Sequence, residues 1–177
     1  MAWSTPLTAV SNATLTAAQW NASVRDNMLV TPAALATTAG SIFVATGTNA
    51  IAQRTPAANT VPTSQTTTNT SYVDLATAGP AVTVTTGTTA LVMIDCEISH
   101  GSTGVSAYMG YAISGATTLA GTDTTALKST NASGYPIAAT RAILQSVTAG
   151  SNTFTAKYRV DSGTGTFVQR HINVIPF

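Results

Sequence analysis

The 177-residue chain is long enough for one ordinary domain with an appendage and short for two domains with independent cores. Thr (35) and Ala (30) dominate it, charged residues make up only 7% and aromatics 6%, and seven Lys+Arg against six Asp+Glu leave a formal charge of +1. Such a chain has no field with which to gather nucleic acid or anionic lipid, so neither is expected as a partner.

Near-neutral charge also guards poorly against self-association, which points to a subunit of an assembly. A single cysteine, Cys96, rules out an internal disulfide framework. The opening MAWSTPLTAV has neither a basic nor an apolar signal region, and no 18-residue apolar run occurs, so neither a secretory signal nor membrane insertion is expected. Four sequons, at Asn12, Asn21, Asn69 and Asn131, are no more than chance in a chain this rich in Ser and Thr.

In chain order, Thr16-Ala-Ala-Gln19 fits a capping box, and Leu15 and Trp20 sit where a hydrophobic staple would place them. Trp20, Val24 and Met28 follow at four-residue spacing, a narrow apolar stripe that predicts a helix over about 17–29, ended by Thr31-Pro32. A helix that short is marginal alone, so its stripe needs something to dock on. Next, Ile42, Val44 and Ile51 flank the turn-forming Thr46-Gly-Thr-Asn49 and predict a hairpin over about 41–54. Residues 55–70, rich in Pro, Ala, Thr and Asn, read as an extended linker.

From 71 onward, short strand-like runs recur at about 71–76, 81–85, 90–98, 106–114, 117–120, 138–147, 153–160 and 167–175, with turn residues between them. Eight runs without an amphipathic helix predict a mainly β chain. It ends in a jelly-roll-like β-sandwich knob over 71–177, preceded by a short N-terminal helix and hairpin stem over 1–54. Val92, Ile94, Cys96 and Ile98 share one strand face and Asp95 and Glu97 the other; Phe154, Ala156, Tyr158 and Val160 likewise oppose Lys157, Arg159 and Asp161. Leu91, Met93 and Tyr108 then fall on outward faces, where a neighbouring subunit could cover them.

No catalytic, metal or cofactor constellation emerges. Asp95 and Glu97 point the same way, but His100 lies past the predicted strand end and no second acidic pair completes a site. Cys96 sits on the apolar face and reads as a buried thiol. His171 alternates against Ile172 and Val174 and reads as outward. Lys157, Arg159 and Asp161 read as a charged, solvated strand face. A sugar platform usually exposes Trp or Tyr; both tryptophans, Trp3 and Trp20, lie in the N-terminal segment, leaving Tyr108 and Tyr135 as the tyrosines free to face solvent.

The stretches LTAAQWNASVRDNM and TTAGSIFVATGTNAIAQR resemble the N-terminal pattern of many virion proteins of tailed bacteriophages infecting actinobacteria, described as minor tail, tail-fibre or head-fibre proteins. TSYVDLATAGPAVTVTTGTTALV, SAYMGYAISGATT and AGSNTFTAKYRVDSGTGTFVQRHINVIPF resemble the β-rich terminal domain of the same group. The resemblance implies a non-enzymatic structural protein on the virion surface, assembled in the bacterial cytoplasm. It would be a homotrimer attached through its N-terminus to the major capsid protein or another virion protein. The absence of an extended repeat between stem and knob suits a capsid decoration or head fibre. The alternative is a short tail fibre or minor tail protein whose knob binds a host-surface receptor or glycan. On this reading Leu15, Trp20, Val24, Met28, Ile42, Val44 and Ile51 dock or trimerise, and Leu91, Met93 and Tyr108 lie at a knob subunit interface.

Overall fold

The computed structural model describes Thr5, Leu7, Thr8, residues 10–130 and residues 133–177, so Trp3 and Asn131 lie outside the described residues. The chain divides into two compact units, Met1–Thr55 and Pro56–Phe177.

In the first unit the capping box forms as the sequence predicts: the Gln19 amide donates to Thr16 Oγ1 at 3.2 Å, and the Thr16 amide donates to Gln19 Oε1 at 3.0 Å. The helical run from Ala17 to Met28 is not uniform. One α-turn (α1, Ala17–Trp20) passes into a π-helical stretch (Asn21–Arg25) and then a last α-turn (α2, Asp26–Met28). The Asp26 amide reaches back to the Asn21 carbonyl, while the Asn27 side-chain amide takes the Ser23 carbonyl at 3.0 Å, the acceptor that an ordinary i−4 bond from Asn27 would use. The wider turn rotates Met28 off the straight four-residue stripe. A single turn, α3 (Pro32–Leu35), carries Pro at a first-turn position where its missing N–H costs nothing.

The hairpin follows as β1 (Ile42–Gly47) and β2 (Ala50–Arg54), with Ala45 opposite Ile51 and a bulge before Gly47. Asn49 takes the tight turn at φ +53°. Gln53 anchors the hairpin to the segment before it, accepting from the Thr37 amide at 3.0 Å.

The second unit is a sandwich of β3 (Ala57–Val61), β4 (Gln65–Thr67), β5 (Ala81–Thr86), β6 (Thr89–His100), β7 (Ser106–Gly115), β8 (Leu127–Thr130), β9 (Ile137–Ser146), β10 (Gly150–Val160) and β11 (Gly165–Pro176). The antiparallel pairings nest: β3 and β4 with β11, β5 with β10, β6 with β9, β7 with β8. A long hairpin is thus rolled so that its arms fall alternately into sheets β3-β11-β6-β9 and β5-β10-β7-β8, the jelly-roll topology. Strand alternation makes the core: Val92, Ile94 and Ile98 of β6 are fully buried against Phe154, Tyr158 and Val160 of β10 and Phe167, Ile172 and Val174 of β11.

Three expectations are corrected here. Residues 55–70 are not a linker: β3 lies along Val174 to Arg170 of β11, and β4 along Phe167 to Gly165, so this stretch is an interrupted edge strand. Its scarcity of large apolar residues suits an edge, which buries less than a central strand does. Two runs shrink to single bridges, Val73 with Tyr158 and Leu119 with Ile113, while β8 supplies the strand that the second of them had stood for. Finally, β6 continues through His100, which is buried. Its Nδ1 accepts from the Ser102 amide at 2.9 Å, and its Nε2 donates to the Ser162 carbonyl at 2.6 Å.

One irregularity decides what lies inside. Val168 pairs with Glu97 but His171 pairs with Asp95, so β11 carries one residue more than β6 across this interval, and Gln169 sits at φ +49°. The bulge turns Arg170 into the interior and His171 outward.

Candidate functional site

Three surfaces carry the residues singled out above. The first is the N-terminal unit. Of its described residues only Val30 and Asn27 are buried, whereas Leu7, Val10, Leu15, Trp20, Met28 and Leu29 are exposed, Trp20 by 54% and Met28 by 63%. Val24, Ile42, Val44 and Ile51 are half-buried. Leu15 lines a shallow apolar depression of about 230 Å³ together with Leu7, Val10 and Ala13. Ile51 lines another, of about 440 Å³, with Val30, Pro32 and Ala45. The segment before the capping box is held by the Leu7 amide donating to Ser23 Oγ at 2.7 Å. Leu7 and Val10 escaped sequence reasoning because no periodicity marks them.

The second surface is the outward face of sheet β3-β11-β6-β9. Its side chains form rungs across the strands: Ile175–Leu91–Leu144, Asn173–Met93–Ala142 and His171–Asp95–Thr140. Leu91 and Met93 are half-buried and Leu144 is 65% exposed, so one end of this face is apolar. At the other end His171 Nδ1 meets Thr60 Oγ1 at 2.7 Å, and its Nε2 stands 3.9 Å from Asp95. Among the described residues no three His, Cys, Asp or Glu side chains come together to hold a metal ion. Nor is any helix there long and apolar enough to cross a membrane. Cys96 faces the core, where burial pushes its thiol up to about 12.

The third surface is the outward face of sheet β5-β10-β7-β8, and here sequence reasoning missed a structured site. Arg159 of β10 grips Asp123 in the loop before β8 with two hydrogen bonds, Nε to Oδ1 at 2.8 Å and Nη2 to Oδ2 at 2.6 Å. Its Nη1 donates to Asp161 Oδ1 at 3.0 Å, and its guanidinium lies 3.9 Å from the centre of the Tyr108 ring. Tyr108 is therefore 6% exposed and covered by its own chain, which corrects its expected place at a subunit interface and its expected freedom to face solvent. Tyr135, by contrast, is 70% exposed.

Tyr72, too, donates to Asp123 Oδ1, at 2.8 Å. Its ring rests against Gly110 and Gly121: a Cβ on Gly121 would come within 3.0 Å of Tyr72 Cγ, and one on Gly110 within 3.1 Å of Cε1. Beside it Lys157 Nζ bonds Asp74 Oδ2 at 2.7 Å. Tyr72, Gly121, Asp123, Lys157 and Arg159 line an open cleft of about 600 Å³.

The electrostatics follow from the bonding. The hydrogen bonds from Arg159, helped by that from Tyr72, hold the Asp123 carboxyl below its ordinary value of 3.8, and the bonds to Asp123 raise Arg159 in return. Burial, aided by the bond to Asp123, raises the Tyr72 phenol. Gly110, Gly121 and Tyr72 lie far apart in sequence, which is why only the charged alternation of β10 was visible there.

No family model matches this chain, and no curated protein matches it. Among solved structures, one that it is similar to is the structure of infectious bursal disease virus, Gx strain, at 10% identity and a TM-score of 0.38. The similarity covers 75% of this chain and 36% of that one, so the chain spans little more than a third of that protein's length.

Proposed function

We propose that the chain is a non-enzymatic structural protein on the exterior of a bacteriophage particle. It docks through its N-terminal unit and carries the jelly roll outward, as a trimeric capsid decoration or head-fibre protein. One observation carries the reading: the N-terminal unit leaves Leu7, Val10, Leu15, Trp20, Met28 and Leu29 exposed while burying Val30. A unit with so little interior of its own is completed by apolar contact with other chains. Association between copies is supported by the Ile175–Leu91–Leu144 rung, whose outer member Leu144 is exposed.

The test uses Trp20, the largest of the exposed residues. Buried aromatic anchors at interfaces contribute about 2–4 kcal/mol each. Particles assembled with Trp20→Ala should lose the chain from the sedimented fraction, while the purified variant keeps the thermal midpoint of the wild type. A variant that sediments with particles at wild-type stoichiometry overturns the docking assignment. Light scattering on the purified wild-type chain should give about three times its 17.9 kDa.

A second reading, a short tail protein whose jelly roll meets a host-surface ligand, is favoured by the cleft at Tyr72.

A further inference from the structure

We propose that the cleft on the outward face of sheet β5-β10-β7-β8 is a binding site for a neutral saccharide, met by Tyr72, Thr122, Asp123, Lys157 and Arg159. The proposal deepens the second reading above, but the binding itself is independent of where on a particle the chain sits.

The cleft is built before any ligand arrives. A Cβ at Gly110 or Gly121 would press on the Tyr72 ring at 3.1 or 3.0 Å, so the ring lies this close to the sheet because both positions lack a side chain. Arg159, whose side chain is 15% exposed, is fixed on three sides by Asp123, Asp161 and the Tyr108 ring, and it in turn fixes the Asp123 carboxylate, which remains 53% exposed. Side chains already locked by such bonds lose little freedom on binding. At about 600 Å³ the cleft falls within the ~300–1,000 Å³ span of small-molecule sites.

Its chemistry selects the ligand class. Each cation lining the cleft already has a carboxylate partner, Lys157 with Asp74 and Arg159 with Asp123, so neither a phosphate nor an ammonium group finds an unmatched charge. What is left is hydrogen-bonding capacity of both kinds. Asp123 has more acceptor sites than its partners fill, the Lys157 ammonium has donors beyond the one given to Asp74, and Thr70, Ser71 and Thr122 border the cleft with hydroxyls. Donors and acceptors side by side suit the adjacent hydroxyls of a sugar, each of which gives one hydrogen and takes another. The half-buried Tyr72 ring offers an apolar edge for the C–H groups of the same ring system.

The experiment uses the full-length chain, labelled with ¹⁵N. Amide shifts are followed while D-galactose, D-mannose, L-rhamnose, N-acetyl-D-glucosamine, lactose and maltose are each added to tens of millimolar, with inorganic phosphate and D-glucuronate as charged comparators. Saturable shifts at the amides of Ser71, Tyr72, Thr122 and Asp123 with a neutral sugar, and none with phosphate, are expected. Lys157→Ala removes one partly exposed ion pair on the strand face and keeps the fold; it and Tyr72→Ala should each weaken binding about tenfold or more. The proposal is overturned if no neutral sugar moves these amides, if phosphate or glucuronate moves them and the neutral sugars do not, or if both variants bind like the wild type. Failure of Trp20→Ala to release the chain from particles would leave this result unchanged, so the two assignments fall separately.

Discussion

Arg159 holds both carboxylate oxygens of Asp123, through Nε at 2.8 Å and Nη2 at 2.6 Å, and binds the strand β10 to the loop ahead of β8. The guanidinium simultaneously covers Tyr108 and reaches Asp161, so one side chain converts what would be an open sheet face into a structured floor. This dual role is unavailable to lysine, which has neither the planar fork nor the stacking surface.

A pH dependence follows from that pair. The Asp123 carboxyl is held below 3.8 in the folded chain by Arg159, so its contribution to stability is complete above 3.8 and is lost as pH falls through the lower folded value. Asp123 is 53% exposed, which limits the contribution to less than about 1 kcal/mol after solvent screening. Thermal midpoints of wild type and Asp123→Asn should therefore differ at pH 7 and converge as the buffer is taken below pH 4. A gap that widens towards acid would show that the ion pair does not stabilise the fold.

Arg170 gives the second prediction. It is fully buried, its guanidinium lies 5.4 Å from the centre of the Tyr158 ring, and its hydrogen bonds go to neutral oxygens: the carbonyls of Thr77, Gly79 and Thr63, the Thr63 hydroxyl, and Gln65 Oε1 at 3.1 Å, the shortest of them. Its Nε has no partner among the described residues. The side chain thereby ties the turn between β3 and β4, and the segment before β5, to the bulge in β11. Replacing it with methionine fills similar space but takes this donor from the Thr63 and Thr77 carbonyls and from Gln65 Oε1, while the buried Gly79 carbonyl keeps its bond from the Tyr158 hydroxyl, at a cost of about 1–3 kcal/mol. Arg170→Lys should recover only part of this, because a compact ammonium lacks the planar fork that spreads Nη1 and Nη2 over five oxygens. Urea unfolding of the three proteins checks the order; equal midpoints would mean that the carbonyls find water instead.

These two arginines show where the sequence is readable and where it is not. The inward faces of β6 and β10 are plain in the alternation of Val92, Ile94, Cys96 and Ile98 and of Phe154, Tyr158 and Val160, because burial on one side of a sheet imposes a period of two. The edge formed by β3 and β4 is not, since Ala57–Val61 owes its strand form to hydrogen bonds with β11 rather than to its own apolar pattern. Polar burial is hidden for the same kind of reason. The partners of Arg170 lie about a hundred positions away in sequence, and those of His100 lie in loops; neither residue type announces its acceptors locally. The cleft at Tyr72 shares this property, being assembled from Tyr72, Gly110, Gly121 and Arg159, which meet only once the roll has closed.

Tyr111 supplies the third prediction, at the opposite end of the pH scale. Its ring is fully buried, tilted against Phe154 with centroids 6.2 Å apart, and its hydroxyl crosses between the sheets to donate to Gln145 Oε1 at 2.9 Å. Burial pushes the phenol from 10.0 up to about 12. Above pH 10 the unfolded chain gives up this proton while the folded chain keeps it, so folding stability drains away between pH 10 and 12. Tyr111→Phe removes that loss but also removes the bond to Gln145, worth about 1 kcal/mol net. At pH 8 the variant should thus be the less stable of the two, and its deficit should shrink as pH rises past 10. Chemical unfolding at pH 8, 10 and 11 provides the comparison, and a deficit that stays constant across the series would place the Tyr111 hydroxyl in contact with water rather than inside the sandwich.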